Sequence, residues 1–333
     1  MTVAMNAEAV AGDSSAATEN PAAMAAEINR IFTNLVFDLS PEDNDLNPAE
    51  ETLYHRVMAF IEEQNALSRF IPSPPTQLMA LMKELESDLT DFDRIQAIVK
   101  EDLGLLGEII KVSNSPLYRP RSGEITSLDK AISMLGLEGV MKVASAVMMR
   151  KVIDIKSPQF KRHARNQFEY CLKCAEACQL MGDPERGFNN YLLGLIHNIG
   201  SVTIFSCFVE ALKESLDDNA NVVKVIQQIM LERAPWLSTL VAGEWGMPEA
   251  FLLTLDEFDM LIHGRMDEDR YGIRSEFTKL LEAGILSTQI YTLIKQGQLD
   301  RETGLAGLEE MNISAALADK LFTRLELAEA SIS

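Results

Sequence analysis

Apolar residues recur at spacings of three and four along almost the whole chain, and runs that alternate as a half-buried strand would are scarce. That period gathers apolar side chains into one stripe of a helix. The abundant Leu, Ala, Met, Glu and Ile point the same way, because straight-chain residues lose little freedom in a helix. The 12 Pro and 18 Gly fall mostly between the periodic segments and punctuate them. An all-α fold is expected. The spacing predicts helices over 24–38, 49–67, 76–86, 91–101, 103–113, 127–136 and 138–153. It then predicts 159–181, 188–198, 200–215, 219–233, 236–245, 248–262, 270–295, 301–310 and 312–329. Residues 1–20 lack periodicity and read as a disordered tail, and 21–70 read as a helical arm. Three prolines in "IPSPP", residues 71–75, forbid regular structure and open the next unit.

Charge narrows the partners. With 50 acidic and 30 basic residues the net charge is −20, which repels phosphate backbones and anionic lipid. Nucleic-acid and membrane binding are therefore not expected. The N-terminus has no basic region joined to an apolar one, so a cytoplasmic protein is expected. Residues 187–209 carry no Asp, Glu, Lys or Arg. Asn189, Asn190, His197, Asn198 and Gly200 interrupt that stretch, which reads as a buried helix, a turn and a second helix.

Cys171, Cys174 and Cys178 share one helical face, and Cys207 is distant. A zinc site needs a turn to converge its ligands, and nothing breaks the helix here. The three read as small core residues.

The stretch "GLIHNIG", residues 194–200, raises the sharper question. A His-Asp pair at the end of a buried helix supplies two ligands to a catalytic metal, which lowers the pKa of a bound water. His197 is present, but Asn198 occupies the acidic position, and a neutral amide is a much weaker ligand. No Gly-rich phosphate loop, G-x-S-x-G or Cys-His-acid series accompanies it.

Five stretches in order, "IPSPP", "DRIQAIVKEDLGLLGEIIKVSNSPLY", "ITSLDKAISMLG", "GLIHNIG" and "EWGMP", resemble an HDOD domain, the bacterial signalling relative of HD phosphohydrolases. They cover Ile71 to about Pro248. Leu103 departs from the pattern, which usually has Asp-Pro there. The resemblance implies an HDOD-type helical bundle with a small lobe at 71–155. A larger HD-like lobe with a C-terminal helical extension would occupy 156–333. It also implies where metal ligands would fall. The earlier histidine maps near Tyr170, and His163 would require a register shift. Ala234, Pro235 and Trp236 stand at a later ligand position, and "AFLLTLDEF" contributes no histidine, leaving Asp256 or Glu257 as distant acids. His197, Asn198 and Tyr170 thus mark a degenerate site with no metal and no cofactor.

The function implied is non-catalytic signal transduction, with the chain as a scaffold for a protein partner and a homodimer open to it. A metal-dependent phosphohydrolase or phosphodiesterase with an atypical ligand set around His197 is the first alternative. A small-anion or nucleotide sensor is the second, with contacts from Lys161, Arg162, His163 and Arg165 in "KSPQFKRHAR" and from Arg119 and Arg121. Structural roles are expected for Asn114 and Ser115 as a helix-ending, loop-pinning pair. Gly136 is expected to stop a helix, Gly200 to shape a turn, and Trp245 and Pro248 to wedge helices apart.

Overall fold

The computed structural model describes residues 21–37, 39, 45–85, 92–118, 123–155, 157, 158, 160–214, 217–265 and 275–332. Among them every regular element is helical and none is a strand. The tail expected at 1–20 lies outside the described residues. The arm comprises α1 (Pro21–Phe37), α2 (Pro48–Glu62) and a single turn, α3 (Gln64–Leu67). The next group is α4 (Thr76–Leu85), α5 (Phe92–Lys100), α6 (Leu103–Ser113) and α7 (Leu128–Ile153). Then come α8 (Lys161–Met181), α9 (Gly187–Ile196), α10 (Gly200–Ala211), α11 (Val222–Glu244) and α12 (Glu249–Ile262). The chain closes with α13 (Glu276–Lys295), α14 (Arg301–Glu310) and α15 (Ala315–Ile332).

Local chemistry fixes many of the starts. Asn47 accepts from the amides of Ala49 and Glu50, and Glu50 reaches back to the Asn47 amide, forming a capping box ahead of Pro48. Asp102, Ser127, Asn221, Ser275 and Asp300 cap α6, α7, α11, α13 and α14 by accepting from first-turn amides, without the reciprocal bond. Glu50 does a second job across space. It is buried, lies 3.3 Å from Lys224 Nζ, and accepts from the amide of Asn221, so the starts of α2 and α11 are tied together.

One expected break is present and one is bridged. Gly136 ends a first helix within the span of α7: it takes φ 74° and ψ 173°, non-helical angles that glycine reaches without steric cost, and a second helix follows across the kink. The separate helices expected at 219–233 and 236–245 are one, α11, with Pro235 inside it. A proline there costs about 3 kcal/mol through a lost donor and a clash. Ala234, Leu237 and Val241 are buried on the same helix, and that packing outweighs the penalty.

Helix α8 is the axis of the molecule. Tyr170 to Cys178 are buried without interruption, because α9, α13, α15, α7 and α1 all pack on it. Close approach is built in. A Cβ on Gly194 would stand 2.6 Å from the Cys174 carbonyl, and one on Gly284 would stand 2.5 Å from Cys178 Sγ. One apolar cluster runs from α4–α7 through α8 and α9 into α12–α15. A second lies among α2, α10 and α11, with Phe37 and Phe160. The arm rests on later helices: α1 chiefly against α13 and α11, and α2 against α10 and α11. The stretches 128–153 and 184–211 are long and apolar enough to cross a membrane, but 61% and 83% of their apolar windows are buried inside the fold.

Candidate functional site

His197 follows α9 directly, in the tight turn that leads into α10, and is 4% exposed. The turn is forced by contact. Gly200 packs so closely on α11 that a Cβ would stand 2.4 Å from the Ala234 carbonyl, and its amide donates to Ser238 Oγ at 3.0 Å. Within this turn His197 Nδ1 donates to the Gly194 carbonyl at 2.7 Å. That bond leaves Nε2 as the basic nitrogen of a neutral ring. Burial lowers the imidazole pKa to about 4, and the Gly194 bond only partly opposes it.

Tyr170 lies edge-on to His197, with ring centroids 5.4 Å apart. Burial drives its phenol well above the usual range. Phe32 of α1 also meets Tyr170, tilted, at 5.0 Å. The three rings form a continuous series of contacts, Phe32–Tyr170–His197, from arm to α9. The backbone N–H of Asn198 faces the Cys171 thiol, whose pKa burial pushes up. Cys171, Cys174 and Cys178 are free, buried thiols.

These groups do not fit a metal ion. Among the described residues no three His, Cys, Asp or Glu side chains come together as a ligand set. Trp236 is an exposed residue of α11. Glu257 is committed elsewhere, accepting from Ser275 Oγ at 2.8 Å and from Thr278 at the start of α13. Asp256 is half-buried on α12.

The basic stretch does not converge on one point. Arg165 bonds Glu169 at 3.0 Å one turn along α8. His163 stacks on Phe37 of the arm at 5.7 Å. Lys161 and Arg162 are exposed on the first turn. Arg119 and Arg121 lie outside the described residues.

The structural motif residues each have a definite place. Asn114 donates to the Ile110 and Ile125 carbonyls, at 2.9 and 2.7 Å, and accepts from the Ile125 amide at 2.8 Å. It ends α6 and holds the chain that leads to α7. Ser115 gives its amide to Val112, but its buried Oγ has no partner among the described residues, so the side-chain pinning rests on Asn114. Trp245 is buried, and its Nε1 donates to the Pro72 carbonyl at 2.8 Å, which fastens "IPSPP" to the end of α11. Pro248 borders a cavity of about 440 Å³, lined also by Met82, Arg186, Asn189, Phe251 and Phe277.

One cluster has no counterpart in the sequence reading. Glu176 of α8 is wholly buried and faces Lys142 of α7 at 3.3 Å and Arg324 Nε of α15 at 2.6 Å. The Tyr118 hydroxyl donates to the same carboxylate at 3.2 Å, and Lys142 Nζ lies 4.7 Å from the Tyr191 ring centroid. Burial lowers the Lys142 pKa, against the pull of Glu176. The available signal was a charge inside an apolar run, Lys142 in "GVMKVASAV" and Glu176 in "CAEAC".

The HDOD domain family matches residues 71–257. An uncharacterized protein of Treponema pallidum (strain Nichols) is 24% identical over 191 residues, 56% of this chain. The matched part spans 37% of that relative's length. Among solved structures, a protein from Shewanella amazonensis SB2B, named as a candidate metal-dependent phosphohydrolase, superposes with a TM-score of 0.61. It shares 15% identity, and the match covers 86% of this chain and all of that one. A candidate signal transduction protein from Marinobacter aquaeolei VT8 gives a TM-score of 0.52 at 17% identity, covering 88% of this chain and 67% of its own. At these identities the likeness concerns the fold.

Proposed function

The chain belongs to the HDOD family, and we propose that it is a non-catalytic regulatory scaffold that binds a protein partner in a signalling pathway. The observation that carries this reading is the cluster of ring contacts. Where a metal-dependent hydrolase would gather imidazoles and carboxylates, this chain packs Phe32 on Tyr170 and Tyr170 on a neutral, hydrogen-bonded His197. A water-activating metal needs several such ligands and an open position, and neither requirement suits three rings in contact. The net charge of −20 fits a protein partner better than nucleic acid or an anionic membrane, and the same reading places the protein in the cytoplasm.

Metal analysis of the purified chain tests the reading against the phosphohydrolase that its structural relative is named for. No stoichiometric iron, manganese or zinc is expected. Tightly bound metal that disappears in His197→Ala would overturn the scaffold. Affinity capture with the full chain from its native cell should return a protein that binds again when both are purified.

A further inference from the structure

We propose that the cavity of about 440 Å³ at Arg186 binds a small molecule carrying one carboxylate on an apolar, ring-sized body. Four parts of the fold supply its described walls. Met82 comes from α4, Arg186 and Asn189 from the start of α9, Pro248 and Phe251 from the start of α12, and Phe277 from the first turn of α13. The volume falls within the range of about 300–1,000 Å³ that ligand sites occupy. Most of this wall is apolar, and its one charge is Arg186. Elsewhere in this acidic chain arginines sit against carboxylates, as Arg94, Arg265, Arg301 and Arg324 do. Arg186 has no such partner among the described residues, and its guanidinium lies over the Phe277 ring, 5.4 Å from the centroid. The Asn189 carboxamide, one turn along, is exposed and makes no hydrogen bond among the described residues.

The walls are held in place from both sides. Buried Asn190 donates to the Asp183 carbonyl at 2.9 Å, and the same carbonyl accepts from the Arg186 amide at 3.0 Å. Asp183 Oδ1 accepts from the Glu185 amide at 2.9 Å, so the turn Pro184–Arg186 is fixed with Arg186 at its end. Across the cavity, Glu257 of α12 accepts from Ser275 Oγ at 2.8 Å and from Thr278, which locks the first turn of α13 and Phe277 with it. A preformed site loses little affinity to ordering. A carboxylate matches the guanidinium fork through two parallel N–H···O bonds. Asn189 Nδ2 adds a donor, and Met82, Phe251 and Phe277 remain for an apolar ring. The single cation also sets the ligand charge. A phosphate monoester brings about −1.5 to −2 into a chain of net charge −20 and meets one arginine. The site lies at the opposite end of α9 from His197 and does not depend on the scaffold reading.

Calorimetric titration of the full chain with indole-3-propionate and with 3-phenylpropionate is the test. At least one acid should bind with a Kd below about 1 mM. Arg186→Met keeps the apolar stem and removes the charge, so affinity should fall at least about threefold, the scale of an exposed charge pair. Indole-3-propionamide, which lacks the charge, should bind wild type and Arg186→Met alike. Ala250→Trp, at an exposed position of the wall, fills the cavity and should abolish binding while the circular dichroism stays that of wild type. Should that variant fail to fold, Arg186→Met with the acid and amide pair decides alone. No binding of either acid, a smaller loss in Arg186→Met, or undiminished binding in folded Ala250→Trp would overturn the site. Tighter binding of 2-phenylethyl phosphate would overturn the choice of anion. Tighter binding of a peptide ending in Phe would overturn the small-molecule occupant. Metal content and partner capture are measured independently, so failure here and failure of the scaffold are distinct results.

Discussion

The two ends of the described chain dock on the same helix by opposite means. At Tyr170 of α8 the N-terminal helix α1 is held by a ring contact and neutral amides. Two turns further on, at Glu176, the C-terminal helix α15 is held by the Arg324 guanidinium against a carboxylate with no exposure at all. A ring contact loses packing when it parts, and water then covers both faces. A buried charge that loses its partner has no such refuge. The first contact is governed by packing, and the second by a charge that must stay paired.

The largest effect is expected at the ionic end. Glu176→Ala leaves Lys142 and Arg324 without their shared carboxylate. Removing one member of a buried pair costs about 3–5 kcal/mol, toward the lower figure here because Arg324 is 32% exposed. Urea unfolding measures it, and a loss under 1 kcal/mol would erase the contrast.

The next effect belongs to the aromatic end and depends on pH. The folded pKa of His197, about 4, is depressed below the ordinary 6.5. Between those values the unfolded chain binds the proton and the folded chain does not. The contribution of His197 is thus complete above about pH 6.5, falls as pH drops toward 4, and is level below that. The span is at most about 3 kcal/mol. Melting temperatures at pH 5 and pH 7 should differ less in His197→Gln than in wild type. An unchanged difference would mean that the ring is not buried neutral.

Asn29→Ala sharpens the comparison at lower amplitude. It removes one amide bond, about 1 kcal/mol, so hydrogen exchange should quicken about fivefold in α1 and stay unchanged in α8. Smallest of all is Asn198→Asp. It restores the acid of the motif but no further ligand, and hydrolysis of bis-p-nitrophenyl phosphate with added manganese should remain at background.

The all-α fold was legible because helical period, caps and loop residues agree locally. Asn47, Asp102 and Ser127 act where they stand in the sequence. Pro235 misled because its penalty is local while the packing of Ala234 and Leu237 is not. The stripe on α1 announced burial, but no feature of it named α8 and α13 as the surface that buries it. Glu176 was harder still, since its partners lie 34 and 148 residues away and appear in the sequence only as isolated charges.

That last separation sets a schedule for the growing chain. Lys142 is already made when Glu176 emerges, but Arg324 is added 148 residues later. At about 5–20 residues per second this is a wait of roughly 7–30 s. Through that interval Glu176 has only one of its two cations within reach. Helix α15 therefore works as a latch in time, supplying the second cation to an interior begun 148 residues earlier.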